Sequence, residues 1–423
     1  MNNINQKIPE GWSVKKLGEC FSFLKTPSYS RAETTSDGEV HYIHYGDIHT
    51  KYPLHVCPED IDIFVTNEQA QKGDFLQTGD LILLDASEDY DGTTKCIELT
   101  AIKDSDKVIS GLHTLALRDN YNNFVNGFRA YITSMPFVKN NFWKQVTGIK
   151  VYGVSKDNLK KLKLLLPPLA EQEKIAGILG TWDEAIEKLS NLIEQKKLLK
   201  KGLMQKLLTG KTRLKGFTQP WKEVKLGEIG TITSAGVDKK IVEGEKLVKL
   251  LNYMDVYRKD FLYSSDMSMT VSAPERQIKN CDLKKGDIFF TPSSETRDDI
   301  AHSAVVIEDI GNGVYSYHIV RLRPTKPIDL KFSAYAFKTD MFYRQAYAWC
   351  AGSGQRYVLS QDDFRNMRVF IPSDISEQQA IADVLSTADD EINLLNQKLE
   401  ALKEQKKGLM QQLLTGQTRV KVN

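Results

Sequence analysis

The sequence predicts two mixed α/β (α+β) globular regions carried on a long antiparallel α-helical coiled coil, built by internal tandem duplication with pseudo-two-fold symmetry. Three observations predict it. The phrase GLMQKLLTGKTR at 202–213 returns as GLMQQLLTGQTR at 408–419. Around it, residues 171–214 lie over 377–420 without a gap and 23 of 44 positions are identical. In both stretches apolar residues recur in alternating steps of four and three, the heptad pattern of a coiled coil rather than of a globular-domain helix. Weaker echoes extend the repeat over the whole chain at offsets of 205–209, among them Trp12…Lys16-Leu17-Gly18-Glu19 with Trp221…Lys225-Leu226-Gly227-Glu228, Gly79-Asp80-Leu81 with Gly286-Asp287-Ile288, and His113 with His318.

In chain order, the first globular region covers 1–166. Its runs DLILLDA and HTLALRD, bounded by Gly and Asp, read as strands, and FVNGFRAYITSMPFVKNNFWKQ reads as one helix. A long helix follows over 167–210. Pro167-Pro168 bars helix before it, Gly210 stops it, and Ile175, Leu179, Ile186, Leu189, Leu203 and Leu207 form its seam. The second globular region, 211–372, repeats the plan with strands DIFFTPS, SAVVIED and YHIVRLRP and a helix over SAYAFKTDMFYRQAYAWC. The second long helix spans 373–416, with seam residues Ile381, Leu385, Ile392, Leu395, Leu409 and Leu413. Lys200 and Lys406 occupy one matching seam position, where polar residues commonly fix register. At 1.5 Å per residue a helix of ~40 residues is ~60 Å long. Because the first helix runs directly into the second region, the second helix must return to pair with it, and the tail 417–423 should pack near the N-terminus. Ile178, Leu208, Val384 and Leu414 lie off the seam and are read as apolar surface left for a partner.

Composition narrows the function classes. With 423 residues, 26% charged and 41% hydrophobic, the chain has ordinary globular values and room for two or three cores. No apolar run reaches a membrane span, and MNNINQKIPEGW lacks the apolar core of a signal peptide. The five cysteines are scattered and never in CxxC spacing, which points to reduced thiols in a cytoplasmic protein. A net charge of +2 leaves nucleic-acid binding to local clusters.

Gly210-Lys211-Thr212 resembles the end of a phosphate-binding loop, but position 205 is Gln and a helix precedes it, so a helix stop is the better reading. His41, His44, His49, His55 and Cys57 invite a metal site, yet the matching stretch 247–256 holds neither His nor Cys; strand and loop residues are preferred, with no metal expected. Asp85, Glu88, Asp89, Asp91 and Lys95, and again Glu295, Asp298 and Asp299, could mimic a metal-dependent nuclease, but neither set has the paired-acid pattern and solvated acidic loops fit better. No nucleophile–base pattern or cofactor loop is present, so the chain reads as a non-enzyme.

A basic band remains: Lys196, Lys197, Lys200, Lys201, Lys206, Lys211, Arg213 and Lys215, with no acid between 195 and 215. It is either a solvated coiled-coil face or a phosphate contact driven by counterion release. Polar loop residues beside aromatics add DNA-contact candidates: Thr93, Thr94, Lys95, Lys150 and Tyr152 in the first region, and Ser294, Thr296, Arg297, Gln355, Arg356 and Tyr357 in the second. Arg356 has a competing reading, an ion pair holding its loop to Asp362 or Asp363.

With these residues in view, the whole chain resembles the DNA specificity subunits of type I restriction–modification systems. LLLPPLAEQEKIAGIL with LLTGKTR, IPSDISEQQAIADVL with LLTGQTR, and GSGQRYVLS carry the resemblance; Thr147-Gly148-Ile149-Lys150-Val151 departs from the last of these in the first copy. The resemblance implies that each globular region is a target-recognition domain reading one half of a split, asymmetric double-stranded DNA site. It implies that the helices set the unread spacer and dock two methyltransferase subunits, with restriction subunits joining through the complex. It further implies adenine methylation, with S-adenosylmethionine, ATP and magnesium on partner subunits and no cofactor on this chain. A self-contained magnesium-dependent nuclease and a coiled-coil scaffold that binds proteins are the competing classes.

Overall fold

The computed structural model describes residues 8–148 and 150–422. It divides into two compact units, Met1–Ser190 with Lys398–Asn423, and Asn191–Gln397. Each unit therefore combines one globular domain with segments of both long helices.

The two domains share a topology. In unit 1 a five-stranded sheet has the order 22–23, 114–118, 81–84, 96–99, 55–56; in unit 2 the order is 230–233, 320–324, 288–290, 303–306, 261–262. Three strand contacts are antiparallel and the last is parallel, in both units. The central strands, such as Leu81–Leu84 and Ser303–Val306, are buried at every residue, which is why they read as unbroken apolar runs. A second sheet is built around Val40–Ile43 in unit 1 and Lys246–Leu251 in unit 2, each with one antiparallel and one parallel neighbour. The chain enters and leaves each domain on a paired antiparallel ladder, Ser13–Lys16 with Lys163–Leu166 and Trp221–Lys225 with Arg368–Pro372.

The segments 124–145 and 333–350 are each broken rather than continuous helix. In unit 1 a 3-10 segment, Arg129–Ser134, is followed by the helix Pro136–Trp143. Met135 is extended between them, because a residue before proline avoids the helical region and proline then suits the first helical turn. In unit 2 the 3-10 turn Phe332–Ala334 precedes the helix Asp340–Trp349, whose first turn is capped by the Thr339 hydroxyl accepting from the Phe342 N–H at 3.3 Å.

The long helices are Leu169–Leu207 and Ile375–Leu413, 39 residues each. Ile175, Leu179, Leu189 and Leu207 are buried on the first, and Ile381, Leu385, Ile392 and Leu413 on the second. Ile186, Leu203, Leu395 and Leu409 are half-buried. Within each unit the pairing is antiparallel. In unit 1 Glu171 meets Arg419 and Asp183 meets Lys406; in unit 2 Lys196 meets Glu391, Lys200 meets Asp389 and Arg213 meets Glu377. Three of the basic-band residues, Lys196, Lys200 and Arg213, are thus neutralised between the helices, and Lys197 pairs with Glu194 along its own helix.

These pairs explain why one phrase occurs twice. Gly210 and Gly416 adopt φ of 67° and 71°, turning the chain out of each helix as a C′ glycine does. The turn is held by the Thr212 N–H on the Lys206 carbonyl and the Thr418 N–H on the Gln412 carbonyl, both at 3.2 Å. The following arginine then reaches the glutamate at the start of the other helix. Arg213 donates to Glu377 at 2.9 and 2.6 Å, and Arg419 grips Glu171. The adjoining glutamines clamp the domain. Gln172 donates to the Asn123 and Pro167 carbonyls and accepts from the Val125 N–H, while Gln378 donates to the Pro372 carbonyl and accepts from the Asp329 N–H. The tail also lies by the start of the described chain, where Arg419 donates to the Glu10 carbonyl at 2.8 Å.

Three of the four off-seam apolar residues pack on a domain core rather than standing free for a partner. Leu208 and Leu414 are buried in the domain cores of units 2 and 1, Val384 packs against the unit 2 core, and Ile178 alone of the four remains on the surface. No helix among the described residues is long and apolar enough to cross a membrane.

Candidate nucleic-acid interface

Each domain carries a small β finger at the matching place. In unit 2 it has three strands, Ser293–Ser294, Arg356–Val358 and Ala351–Ser353 in the order outer, centre, outer. Gly352 and Gly354 turn the hairpin at φ of 139° and 72°, and a Cβ on Gly352 would stand 2.1 Å from the Arg356 carbonyl oxygen. In unit 1 Tyr152–Gly153 pairs with Ala86–Ser87, and Thr147 bridges Gly153. Gly148 plays the Gly352 role, at φ 127° with a virtual Cβ 1.9 Å from the Val151 carbonyl oxygen. The first-copy loop that departs in sequence thus shares the close glycine approach to a facing carbonyl; its Ile149 lies outside the described residues.

The unit 2 finger brings several predicted residues together. The Arg356 and Gln355 side chains are exposed at the tip and make no hydrogen bond or ion pair among the described residues. The competing partners of Arg356 are taken: Asp362 pairs with Arg365 at 2.5 Å and Asp363 caps its helix through Ser360. The Arg297 guanidinium lies 5.1 Å from the Tyr357 ring centroid, a cation–π contact that orients both side chains on the finger. Ser294 and Thr296 shape the adjoining turn, the Ser294 hydroxyl accepting from the Thr296 N–H at 3.3 Å. Tyr317 and His318, with ring centroids 4.0 Å apart, were not singled out from the sequence as contacts. Burial lowers the His318 pKa from its ordinary value, and the nearby Lys239 and Arg356 cations lower it further. His318, Lys239 and Arg356 thus share one electropositive neighbourhood.

Unit 1 presents different chemistry. Thr93 and Thr94 are buried, not surface contacts: they lie in the 3-10 turn Asp91–Thr94, and the Thr93 hydroxyl donates to the Tyr90 carbonyl at 2.7 Å. The exposed Lys95 donates to the His49 carbonyl at 2.8 Å. Lys150 is exposed, and Tyr152 sits edge-on to Tyr90, which itself stacks on Trp143. Beside this finger lies a cavity of about 510 Å³ lined by Tyr45, His49, Glu88, Asp89, His113 and Val151. Burial holds the His49 pKa below its usual value, with the Lys95 cation adding to the effect. The other histidines of the run are engaged in the fold. His41 meets the Ile61 carbonyl at 2.8 Å, His44 accepts from the Gly46 N–H, and His55 meets the Gly127 carbonyl at 3.0 Å.

Two of the acidic residues weighed as nuclease ligands have basic or aromatic partners. Asp85 pairs with His113 at 3.1 Å, and Asp299 holds His302 at 2.8 Å and the Tyr257 hydroxyl at 3.1 Å. The Asp91 side chain lies outside what the structure describes. Among the described residues no group of three or more His, Cys, Asp or Glu side chains is placed to hold a metal ion.

An exposed arginine fork and an exposed amide can pair guanine and adenine edges or bind phosphate. Arg356→Ala is expected to cost about 1–3 kcal/mol in DNA binding and relax one specified position. The substitution also removes a cation beside His318, so the imidazole pKa should rise, as an NMR pH titration would read. Binding unchanged in affinity, specificity and salt slope would take Arg356 out of the interface.

The family model described as Type I restriction modification DNA specificity domain matches this sequence twice, over residues 9–195 and 218–404. A curated relative from Methanocaldococcus jannaschii, the type I restriction enzyme MjaVIII specificity subunit, is 24% identical over 98% of this chain and 95% of its own length. The crystal structure of a type I restriction–modification S subunit from M. genitalium superposes with a TM-score of 0.57 at 15% identity, covering 97% of this chain and 98% of that one. A chain from a structure concerned with complex assembly and conformational transition of the type I R-M system matches at the same TM-score of 0.57 and 15% identity, over 97% of this chain and 100% of that one.

Proposed function

The chain belongs to the type I restriction–modification DNA specificity family, and on that premise we propose that its two recognition domains read the two unlike halves of one bipartite DNA site. One observation carries the reading. The domains share a strand order, yet their fingers present different groups: Arg356, Gln355 and the Arg297–Tyr357 pair in unit 2, Lys150 with the Tyr90–Tyr152–Trp143 cluster in unit 1. Two identical readers related by a two-fold axis would specify a palindrome; two unlike readers specify an asymmetric site.

The long helices set the unread spacer and dock two methyltransferase subunits, and restriction subunits join through the complex. The chain itself is non-catalytic and acts in the cytoplasm. S-adenosylmethionine, ATP and magnesium act on the partner subunits, and adenine is the methylated base. Engagement of Asp85 and Asp299 within their own domains supports this division of labour over a self-contained nuclease.

Shortening the helices tests the ruler. Removing one heptad from each at matched residues, 188–194 and 394–400, takes out about 10 Å of helix, or about three base pairs at 3.4 Å each. The spacer of the methylated site should shorten while both half-sites keep their sequence. A complex that still assembles and keeps its spacer would refute the ruler.

A further inference from the structure

Each unit holds one polar cluster where its globular domain meets both long helices, and DNA reading by the fingers makes no use of it. In unit 1 the Asp183 carboxylate, on the first helix, accepts from the Tyr131 hydroxyl at 2.6 Å and pairs with the Lys406 ammonium of the second helix. Lys406 also lies 5.5 Å from the Tyr131 ring centroid. Unit 2 fills the same roles with the helices exchanged. Asp389, on the second helix, accepts from Tyr335 at 2.7 Å and from Lys200 of the first helix at 2.5 Å, and Lys200 lies 5.5 Å from the Tyr335 ring centroid. Both tyrosine side chains are fully buried, each in or directly after the domain's 3-10 turn.

Helix pairing alone does not require this arrangement. A lysine on the seam usually costs stability relative to an apolar residue, and a buried ion pair seldom outperforms well-packed apolar groups. Nor does helix pairing require a phenol contributed by the domain. What the three groups do together is directional. Apolar packing of the domain on Ile175, Leu179 and Leu413 is non-directional and tolerates rocking, whereas a hydroxyl–carboxylate bond has a narrow range of length and angle.

We propose that the two Tyr–Asp–Lys clusters are orienting joints, fixing the angle at which each recognition domain stands on its own helical segment and so confining its half-site to one register. The proposal rests on the bipartite reading above. The joints are unequal. In unit 2 Lys200 also approaches Asp260 at 3.7 Å, and Asp260 pairs with Lys338, a second brace between domain and helix. The matching positions in unit 1, one residue before the parallel edge strand and three residues after the tyrosine, are Leu54 and Ser134. The glutamine clamp at the start of each long helix is common to both units, so the difference lies at this joint: one phenol–carboxylate bond from the domain in unit 1, a network in unit 2.

The test uses this chain in complex with the methyltransferase subunit of the same host. Its substrate is a DNA library carrying the host half-sites at the native spacer and at one base pair shorter and longer. Tyr131→Phe keeps ring, volume and the Lys406–Asp183 pair. It should lower discrimination between native and altered spacers by about tenfold, the factor expected for one hydrogen bond to a charged group, with total methylation nearly unchanged and the thermal midpoint lowered by only a few degrees. Tyr335→Phe should have a smaller effect. An unchanged spacer profile in Tyr131→Phe overturns the joint, as does an equal loss of methylation at every spacer that tracks a lowered thermal midpoint. A wild-type complex indifferent to spacer length would overturn the bipartite reading itself.

Discussion

Replacing residues 217–372 with the same segment of another family member is expected to rewrite one half of the methylated motif and leave the other half as it was. The boundaries follow the fold. The segment begins and ends at the ladder Trp221–Lys225 with Arg368–Pro372, so the chain enters and leaves the domain at adjacent points. Exchange there need not move the helices, provided the incoming domain keeps an apolar base. Leu226, Phe332 and Met367 share one core with Leu207, Leu208, Ile381 and Leu385 of the long helices, and polar residues at that base would leave a buried mismatch. Unit 1 has a separate core built on Ile175, Leu179 and Leu413, so its reading surface should not respond. Sequencing of methylated bases in a strain carrying the exchanged subunit checks this. A change in both halves from an assembled complex would mean that the two domains read through a shared surface.

The largest stability effect is expected at Arg129. Its side chain is 9% exposed and bridges Glu98, at 0%, and Asp119, at 1%. It also donates to Asn126 at 2.6 Å and to the Phe124 carbonyl at 3.1 Å. Glu98 keeps two backbone donors, the Gly127 N–H at 2.7 Å and the Ala130 N–H at 3.0 Å, but without the guanidinium its charge has no counterion. Breaking a buried pair by removing one partner costs about 3–5 kcal/mol. Arg129→Met, chosen because methionine fills irregular space well, should therefore lower the denaturant midpoint of unit 1 substantially. Adding Glu98→Gln removes the stranded charge, but its single amide oxygen can accept from only one of the two backbone N–H groups while its NH2 faces the other, so it should recover only part of the loss. A single-variant cost under about 1 kcal/mol would mean that water or a shifted side chain replaces the arginine.

The coiled-coil helices were legible because their signal is local and periodic: steps of four and three along each seam, with prolines before and glycines after. The contacts that lock them were not. Arg213 meets Glu377 across 164 residues and Arg419 meets Glu171 across 248, and no spacing rule links such pairs. The duplicated LLTGxTR and EQ motifs held the only trace, since both partners occur in both copies. Thr93 and Thr94 show the opposite failure. Two threonines before a lysine look like a polar loop, but a 3-10 turn folds them inward under the Tyr90 carbonyl. At the fingers, Gly148 and Gly352 carried a backbone requirement through loops that otherwise differ, while the neighbours Tyr317 and Lys239, on a distant turn and bend, and His49, on the short helix Tyr45–Thr50, are brought near only by the tertiary fold.

The central claim is that one chain reads two unlike sequences at a fixed separation. Sequencing of modified bases across the host genome, with and without an intact copy of this chain, tests it most directly. The expected result is a methylated-adenine motif of two unequal specified parts around an unspecified spacer of constant length, lost when the chain is removed. A contiguous or palindromic motif that depends on this chain, or a bipartite motif that persists without it, would contradict the claim.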